Sequence, residues 1–348
     1  MPPTDPVIAA CLEALQRNPH DTETLARLGA LHHARGEMEQ ARTFYFRALG
    51  IDPAHFDSLA GLGKLSREVG LLEEAEGFYR TLTEAHPHRA DAWYDLGILL
   101  RDLRKLERAC TVFRKTLTLN PTDERARHLL SVLEGQNPQT PPDAYVQSLF
   151  DPVAERFDHH LVHRLQYRTP EHLAKLAREL RASGERFGTA LDLGCGTGLS
   201  GLAFRSLAKH LAGVDLAPNM VARARLKGVY DALTVSGLNA FLDTTRNHWD
   251  LFIATDVFIY IGALETLFEK ATLRAAPGAW FAFSTESVEG PDFEALPTGR
   301  YAHSMFYIQK LADRFGWEVA ACRGTDIREE HGDPVPGHLF ILKARNRP

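Results

Sequence analysis

The stretch that decides the fold runs from Thr189 to Met220, TALDLGCGTGLSGLAFRSLAKHLAGVDLAPNM. TALDL is a short apolar run that enters a cluster of three glycines, Gly194, Gly196 and Gly198, where the chain can turn sharply. LSGLAFRSLAKH then reads as a helix, and LAGVDL is a second strand ending at Asp215. The alternation continues outward. PNMVARARLKG reads as a helix, LTVSGL as a short strand and WDLFIATDVFIYI as a strand with its exit loop. LETLFEKATLRAA reads as a helix stopped by Pro277-Gly278, and AWFAFSTES as a strand. YIQKLADRFG, WEVAACRGTDIRE and GHLFILKAR predict a helix and two strands able to pair antiparallel. Strands alternating with helices predict a parallel sheet with its site at the strands' carboxyl ends. Upstream, AYVQSLFDPVAERFDHHLVHRL has apolar residues at helical spacing from Tyr145 to Leu165. A second helix, PEHLAKLARELRAS, starts at Thr169-Pro170 and ends at Gly184. QNPQTPPD before them is proline-rich and predicts a linker over 136–142, with a second domain over 143–348.

The first 135 residues carry a different signature. Pro19, Pro53, Pro87 and Pro121 are spaced 34 residues apart. Gly29, Gly63 and Gly97 share that spacing, each preceded by leucine, as do Ala41, Ala75 and Ala109 and the aromatics Tyr45, Tyr79 and Phe113. Four columns in one register resemble the tetratricopeptide repeat, a helix-turn-helix unit whose small residues let two helices approach. Repeats are predicted at about 22–55, 56–89 and 90–123, after a helix near 5–17 and before a polar capping helix near 123–134. The array's concave face implies a protein or peptide partner; a structural brace is the alternative.

Composition limits the partners. The chain has 348 residues and a formal net charge of −5, and neither half is basic, so no nucleic-acid footprint is expected. No apolar run approaches the roughly 20 residues of a membrane span, and MPPTDPVIAACLEAL lacks the basic start of a signal peptide. Cys11, Cys110, Cys195 and Cys322 are scattered, which suits reduced thiols and a cytoplasmic location.

Taken alone the glycine loop is ambiguous, because Gly196-x-Gly198-x-x-Gly201 also fits a dinucleotide pattern. Asp192 at its mouth would repel a pyrophosphate but would suit a ligand bearing an ammonium and a sulfonium. Asp215, 21 residues after Gly194, can accept both ribose hydroxyls in either class. With LDLGCGTG, GVDLAPNM and PGAWFAFSTE in this order, the chain resembles the class I S-adenosylmethionine-dependent methyltransferases. YVQSLFDPVAERFD, GRYAHS and the repeats look like predicted bacterial members that carry an N-terminal tetratricopeptide array. The resemblance implies an all-α repeat array followed by an α/β Rossmann-like domain, mostly parallel with an antiparallel C-terminal strand. S-adenosyl-L-methionine is the implied cofactor, with no metal.

Carried over by position, the resemblance sets Asp192, Gly194, Cys195 and Gly196 around the methionine part of the cofactor. Asp215 holds the ribose, and Leu216 and Met220 pack on the adenine. Gly237 and Leu238 fall where such enzymes present an acid to the adenine amino group, an acid this chain lacks. Asp256 lies where the family places a group near the donor methyl. The helix over 145–165 becomes a lid, with Arg168 able to pair with the methionine carboxylate. For chemistry, Asp256, Tyr260 and Glu286 stand at strand ends, with Tyr301, His303 and Ser304 in a loop expected to border the acceptor. His303, Tyr301 and Asp256 are the catalytic candidates. Asp158-His159-His160-x-x-His163 has no further ligand at a recognised spacing and reads as a solvated helix face. The acceptor is then a protein or peptide held by the array, or a small metabolite; a non-catalytic adaptor and a nicotinamide dehydrogenase are the remaining readings.

Overall fold

A computed structural model describes residues 5–345 except 160, 163–164, 182–183 and 331–332. The chain divides into two compact units, Met1–Gly135 and Gln136–Pro348.

The first unit is all helix. α1 (Pro6–Arg17) precedes three helix pairs: α2 (Thr22–Ala34) with α3 (Met38–Leu49), α4 (Phe56–Glu68) with α5 (Leu72–Ala85), and α6 (Ala90–Asp102) with α7 (Leu106–Leu119). α8 (Glu124–Leu133) closes the stack. The repeat columns have a steric reason. A Cβ built on Gly29 would come within 2.6 Å of the Tyr45 ring, on Gly63 within 2.7 Å of Tyr79, and on Gly97 within 2.6 Å of Phe113. Each glycine is therefore the socket for the aromatic of its own repeat. Pro19 lies beyond the end of α1, and Pro53, Pro87 and Pro121 lie beyond the second helix of each pair, where a missing N–H disturbs no ladder. Gly36, Gly70 and Arg104 occupy one register between the paired helices, and all three have positive φ.

The second unit is a nine-stranded sheet covered on both faces. It opens with α9 (Asp143–Phe150), a 3₁₀ turn (Asp151–Val153), the single turn α10 (Phe157–His159) and α11 (Thr169–Leu180). The sheet then alternates β1 (Phe187–Leu193), α12 (Leu199–Phe204), β2 (Ala208–Asp215), α13 (Pro218–Leu226), β3 (Ala232–Val235), α14 (Leu238–Thr244), β4 (Trp249–Ala254), α15 (Glu265–Leu273) and β5 (Ala275–Ser287). β6 (Phe293–Ala295), β7 (Tyr301–His303), α16 (Met305–Phe315), β8 (Trp317–Glu330) and β9 (Asp333–Ala344) complete it. The strand path is β3-β2-β1-β4-β5-β7-β6, with β9 antiparallel to β5 and β8 antiparallel to β9. Alternate residues of the central strands point to opposite cores. Leu191, Phe252, Phe281 and Phe340 pack with α15 and α16, while Ala190, Leu251, Trp280 and Leu339 pack with α11 and α12.

Several expectations change. The helix expected over 145–165 is broken after Phe150, where Pro152 cannot continue the ladder. α11 buries Leu173, Ala174, Leu176 and Ala177 against the sheet, so of the segment 143–184 only the part before it remains free to act as a lid. Pro277-Gly278 does not stop a helix but lies inside β5. GRYAHS is not the loop expected beside the acceptor: Tyr301–His303 form β7, which pairs with β5 at Glu286 and Ser287. The segment expected as a linker is docked on the second unit. Asn137 bonds the backbone of Phe293 and Ala295 at 2.9 and 2.7 Å, and the Gln139 carbonyl accepts from the Ala263 N–H.

Candidate active site

β1 delivers the chain to the glycine turn, where Gly194, Gly196 and Gly198 all have positive φ. The N–H groups of Gly194 and Cys195 donate to the Val214 carbonyl of β2, which folds the turn back over the strand ends. A Cβ on Gly194 would strike Val257 at 2.6 Å, so this glycine lets the β4 exit loop close in. A Cβ on Gly196 would meet nothing within 4 Å. Open space beside half-buried backbone is a cradle for a ligand. Gly201 answers the dinucleotide pattern differently, since a Cβ there would lie 2.4 Å from the Tyr230 ring. Its space is filled by a side chain of the same domain.

Two acids face this turn. Asp192 is fully buried, and its Oδ2 accepts from the Tyr230 hydroxyl at 2.6 Å, while its Oδ1 is buried with no partner among the described residues. Burial pushes its carboxyl up to about 7, with the Tyr230 hydrogen bond acting downward and Asp215 upward. Asp215 accepts from the Gly196 N–H at 2.8 Å and the Ala217 N–H at 2.9 Å. Burial outweighs those bonds and raises its carboxyl too. Two acids held above their ordinary range suit a ligand that brings hydroxyl donors and a positive charge. Cys195 is buried, and burial raises its thiol well above the usual range, so it packs and does not react.

The segment expected as a lid is held at Gln147, Asp151 and Asp158, among other points. Gln147 Nε2 donates to the Leu216 carbonyl at 3.3 Å, and Asp151 accepts from the Asn219 N–H at 3.1 Å. Asp158 accepts from the Thr197 hydroxyl and pairs with Lys227 at 2.5 Å. Met220 is buried with Ala154 and Ala217 in a small cluster against Phe150, Val153 and Phe157. It is therefore enclosed by that segment rather than exposed for the adenine contact expected. Leu216 is half-buried beside Gly237, which opens α14 with free space at its Cα, and Leu238 packs toward the core.

The catalytic candidates separate. His303 is fully buried, its Nε2–H donates to the Gly262 carbonyl at 2.9 Å, and its ring stacks on Tyr307. Burial lowers its imidazolium to about 4, so it is a neutral core residue. Tyr301 is equally buried, against Gly262 and Phe293. Both side chains are sealed in the core. Arg168 lies exposed just before α11, whereas its neighbour Tyr167 is buried and bonded to Thr255. His160 and His163 lie outside the described residues; among those described, no group of three His, Cys, Asp or Glu could hold a metal.

Asp256 keeps its place past β4, in a left-handed conformation (φ 54°) with its N–H donating to Ser284 Oγ at 2.9 Å. It also belongs to an ionic ring that sequence reasoning missed. Arg328 of β8 donates to Asp256 at 2.9 Å, to Glu330 at 2.9 Å and to Glu286 of β5. Arg300 donates to Glu286 and Glu330, each at 2.7 Å. Asp256 and Arg328 are 72 residues apart in the chain, and only the strand order brings them together. The acids at strand ends were visible signals; their arginine partners carried none.

Residues 191–281 match the family described as "Methyltransferase domain", and residues 24–55 and 61–124 match tetratricopeptide repeats. Two curated relatives are ubiquinone biosynthesis O-methyltransferases of Paraburkholderia xenovorans and Paraburkholderia phytofirmans. They are 26% and 25% identical over 171 residues, 45% of this chain and 73% of each relative. Among solved structures, the N-methyltransferase NodS from Bradyrhizobium japonicum with S-adenosyl-l-homocysteine is 18% identical at a TM-score of 0.41, covering 50% of this chain and 86% of that one. Magnesium protoporphyrin IX methyltransferase from Synechocystis with bound SAM is 14% identical at a TM-score of 0.45, covering 58% and 96%. Over residues 191–281 the second unit thus carries a match to a methyltransferase domain. In this chain it stands behind tetratricopeptide repeats.

Proposed function

We propose that the glycine turn binds S-adenosylmethionine and that the enzyme transfers its methyl group to an acceptor at the carboxyl ends of β4 and β5, beneath the lid. One observation carries the binding site: the buried, unpartnered Oδ1 of Asp192 beside the open cradle at Gly196. An isolated buried carboxylate is costly, and a ligand ammonium satisfies it. The residues present fit the cofactor. Asp215 receives the ribose hydroxyls, Gly194 and Gly196 allow close backbone approach, Leu216 and Gly237 border the adenine, and Asp192 holds the amino group. When bound, the cofactor supplies a methyl group on a positively charged sulfur. The chain's own part is to align the acceptor, exclude water with the lid and take up a proton. Orientation of this kind contributes roughly 7–11 kcal/mol to barrier lowering. Asp256 is the group placed to take the proton, and a repeat array suits delivery of a protein or peptide acceptor.

Calorimetry tests the cradle. Asp215→Ala should cost about 1.5–3 kcal/mol of affinity for S-adenosylmethionine, the range for hydrogen bonds to a charged group. Unchanged affinity, or tight binding of a nicotinamide dinucleotide, overturns the assignment.

A further inference from the structure

The ring of Asp256, Glu286, Glu330, Arg300 and Arg328 is more than the fold requires. Arg328 and Glu286 are almost completely buried, at 6% and 3% exposure. Buried ion networks are weak sources of stability, because desolvation offsets most of their attraction, and apolar replacements often do as well. Asp256 adds backbone strain, since a non-glycine residue in the left-handed region persists only when its surroundings enforce it. Both features lie at the carboxyl edge of the parallel sheet, next to the loop that touches Gly194 through Val257. Tyr260 interacts electrostatically with both arginines, Asp256 and Glu286, and its ring packs on Phe150 of the lid at 5.0 Å between centroids. Tyr260 thus links the ring to the aromatic segment around Phe150.

Charge decides what the sheet's carboxyl edge beside the ring accepts. Among the described residues the ring sets three carboxylates against two guanidiniums, an excess of one negative charge whenever Asp256 is ionised, although burial raises its carboxyl against the downward pull of Arg328. An acceptor carboxylate would add to it, and a phenol would have to become an anion beside it. A cation neutralises it. Methylation of an amine, moreover, leaves the positive charge on the acceptor nitrogen, where a net-negative environment stabilises the developing charge.

We propose that the methyl acceptor is a protonated amine with an apolar body, received by this ring and deprotonated at Asp256. This inference rests on the methyltransferase reading above. The ammonium gives one proton to the Asp256 carboxylate. The nitrogen lone pair then forms the bond to the methyl carbon as the carbon–sulfur bond breaks, and that electron pair stays on the sulfur. The nitrogen ends with the positive charge, and Asp256 returns its proton to solvent. Two sources share this chemistry, the lysine side chain of a polypeptide and a free small amine.

The test uses the full chain saturated with S-adenosylhomocysteine and ligand-observed NMR near neutral pH. Benzylammonium, benzyl alcohol and benzoate have similar bodies and different head charges. Benzylammonium should bind about tenfold tighter than either, and Glu330→Gln at the rim should erase most of that preference, a change of about 1.4 kcal/mol. Asp256→Asn should do the same from the other end of the ring. Equal binding of all three, a preference for benzoate, or no binding of any overturns the proposal. A blocked lysine, Nα-acetyl-lysine methylamide, distinguishes the sources: affinity matching benzylammonium points to a polypeptide, and binding of benzylammonium alone to a small amine. Failure of S-adenosylhomocysteine itself to bind would count against the methyltransferase reading instead.

Discussion

Tyr230 is the residue whose importance only the folded chain reveals. Its ring fills the space above Gly201, its hydroxyl accepts from the Gly201 N–H at 3.1 Å, and the same hydroxyl donates to Asp192. Asp192 otherwise faces Asp215, Cys195 and Tyr167, none of which offers a positive charge. The Tyr230 hydrogen bond favours the ionised form of a carboxyl that burial holds up at about 7. Below that pH Asp192 carries a proton and offers an ammonium little. Affinity for S-adenosylhomocysteine should therefore rise as pH is raised through about 7 and then level off. Tyr230→Phe should move that midpoint upward, and Asp192→Asn should flatten the profile. 5′-Methylthioadenosine, which has no amino-acid part, should bind without this dependence. Calorimetry across pH checks all three, and an unmoved midpoint in Tyr230→Phe would reduce Tyr230 to a packing residue.

At the scale of elements, the repeats were legible because their sockets recur. Glycine and aromatic must match within every unit, so the period is written in the residues. The turn inside each repeat was not read. Gly36 and Gly70 supply positive φ without strain, whereas Arg104 in the third repeat adopts φ 59° with a full side chain. Such a residue costs about 1–2 kcal/mol. Arg104→Gly should recover about 1 kcal/mol of it after the added freedom of glycine in the unfolded chain. Amide exchange in α6 and α7 should slow about fivefold, and faster exchange would show that Arg104 makes contacts worth more than its strain. In the second unit the strands β1, β2, β4 and β5 were legible as apolar runs, because a parallel sheet is buried on both faces. β7 was not: a three-residue strand has no period, and its partner β5 is supplied from elsewhere in the chain. His303 was misplaced for the same reason, since nothing local tells a core histidine from a catalytic one. The lid was legible as an amphipathic stretch, but Pro152 divides it.

The array's part in the molecule can be tested by removing it. Tetratricopeptide repeats mediate protein interactions, and their columns of small residues are intact in all three units. Residues 136–348 contain their own core and keep Asn137 and Gln139, which the second unit needs. That fragment should bind S-adenosylmethionine like the full chain. With labelled methyl donor in a cell extract, the full chain should label a macromolecule that the fragment does not. Label appearing only in small molecules, equally with both, would assign the array to assembly. The order of the two units has a consequence in time. Arg328 lies on β8, which is held in the sheet by β9, about two hundred residues after the array ends. At about 5–20 residues per second of synthesis, the array leaves the ribosome roughly 10–40 s before the site can be completed. If the array recruits the acceptor as proposed, a nascent chain meets it before the site can act on it.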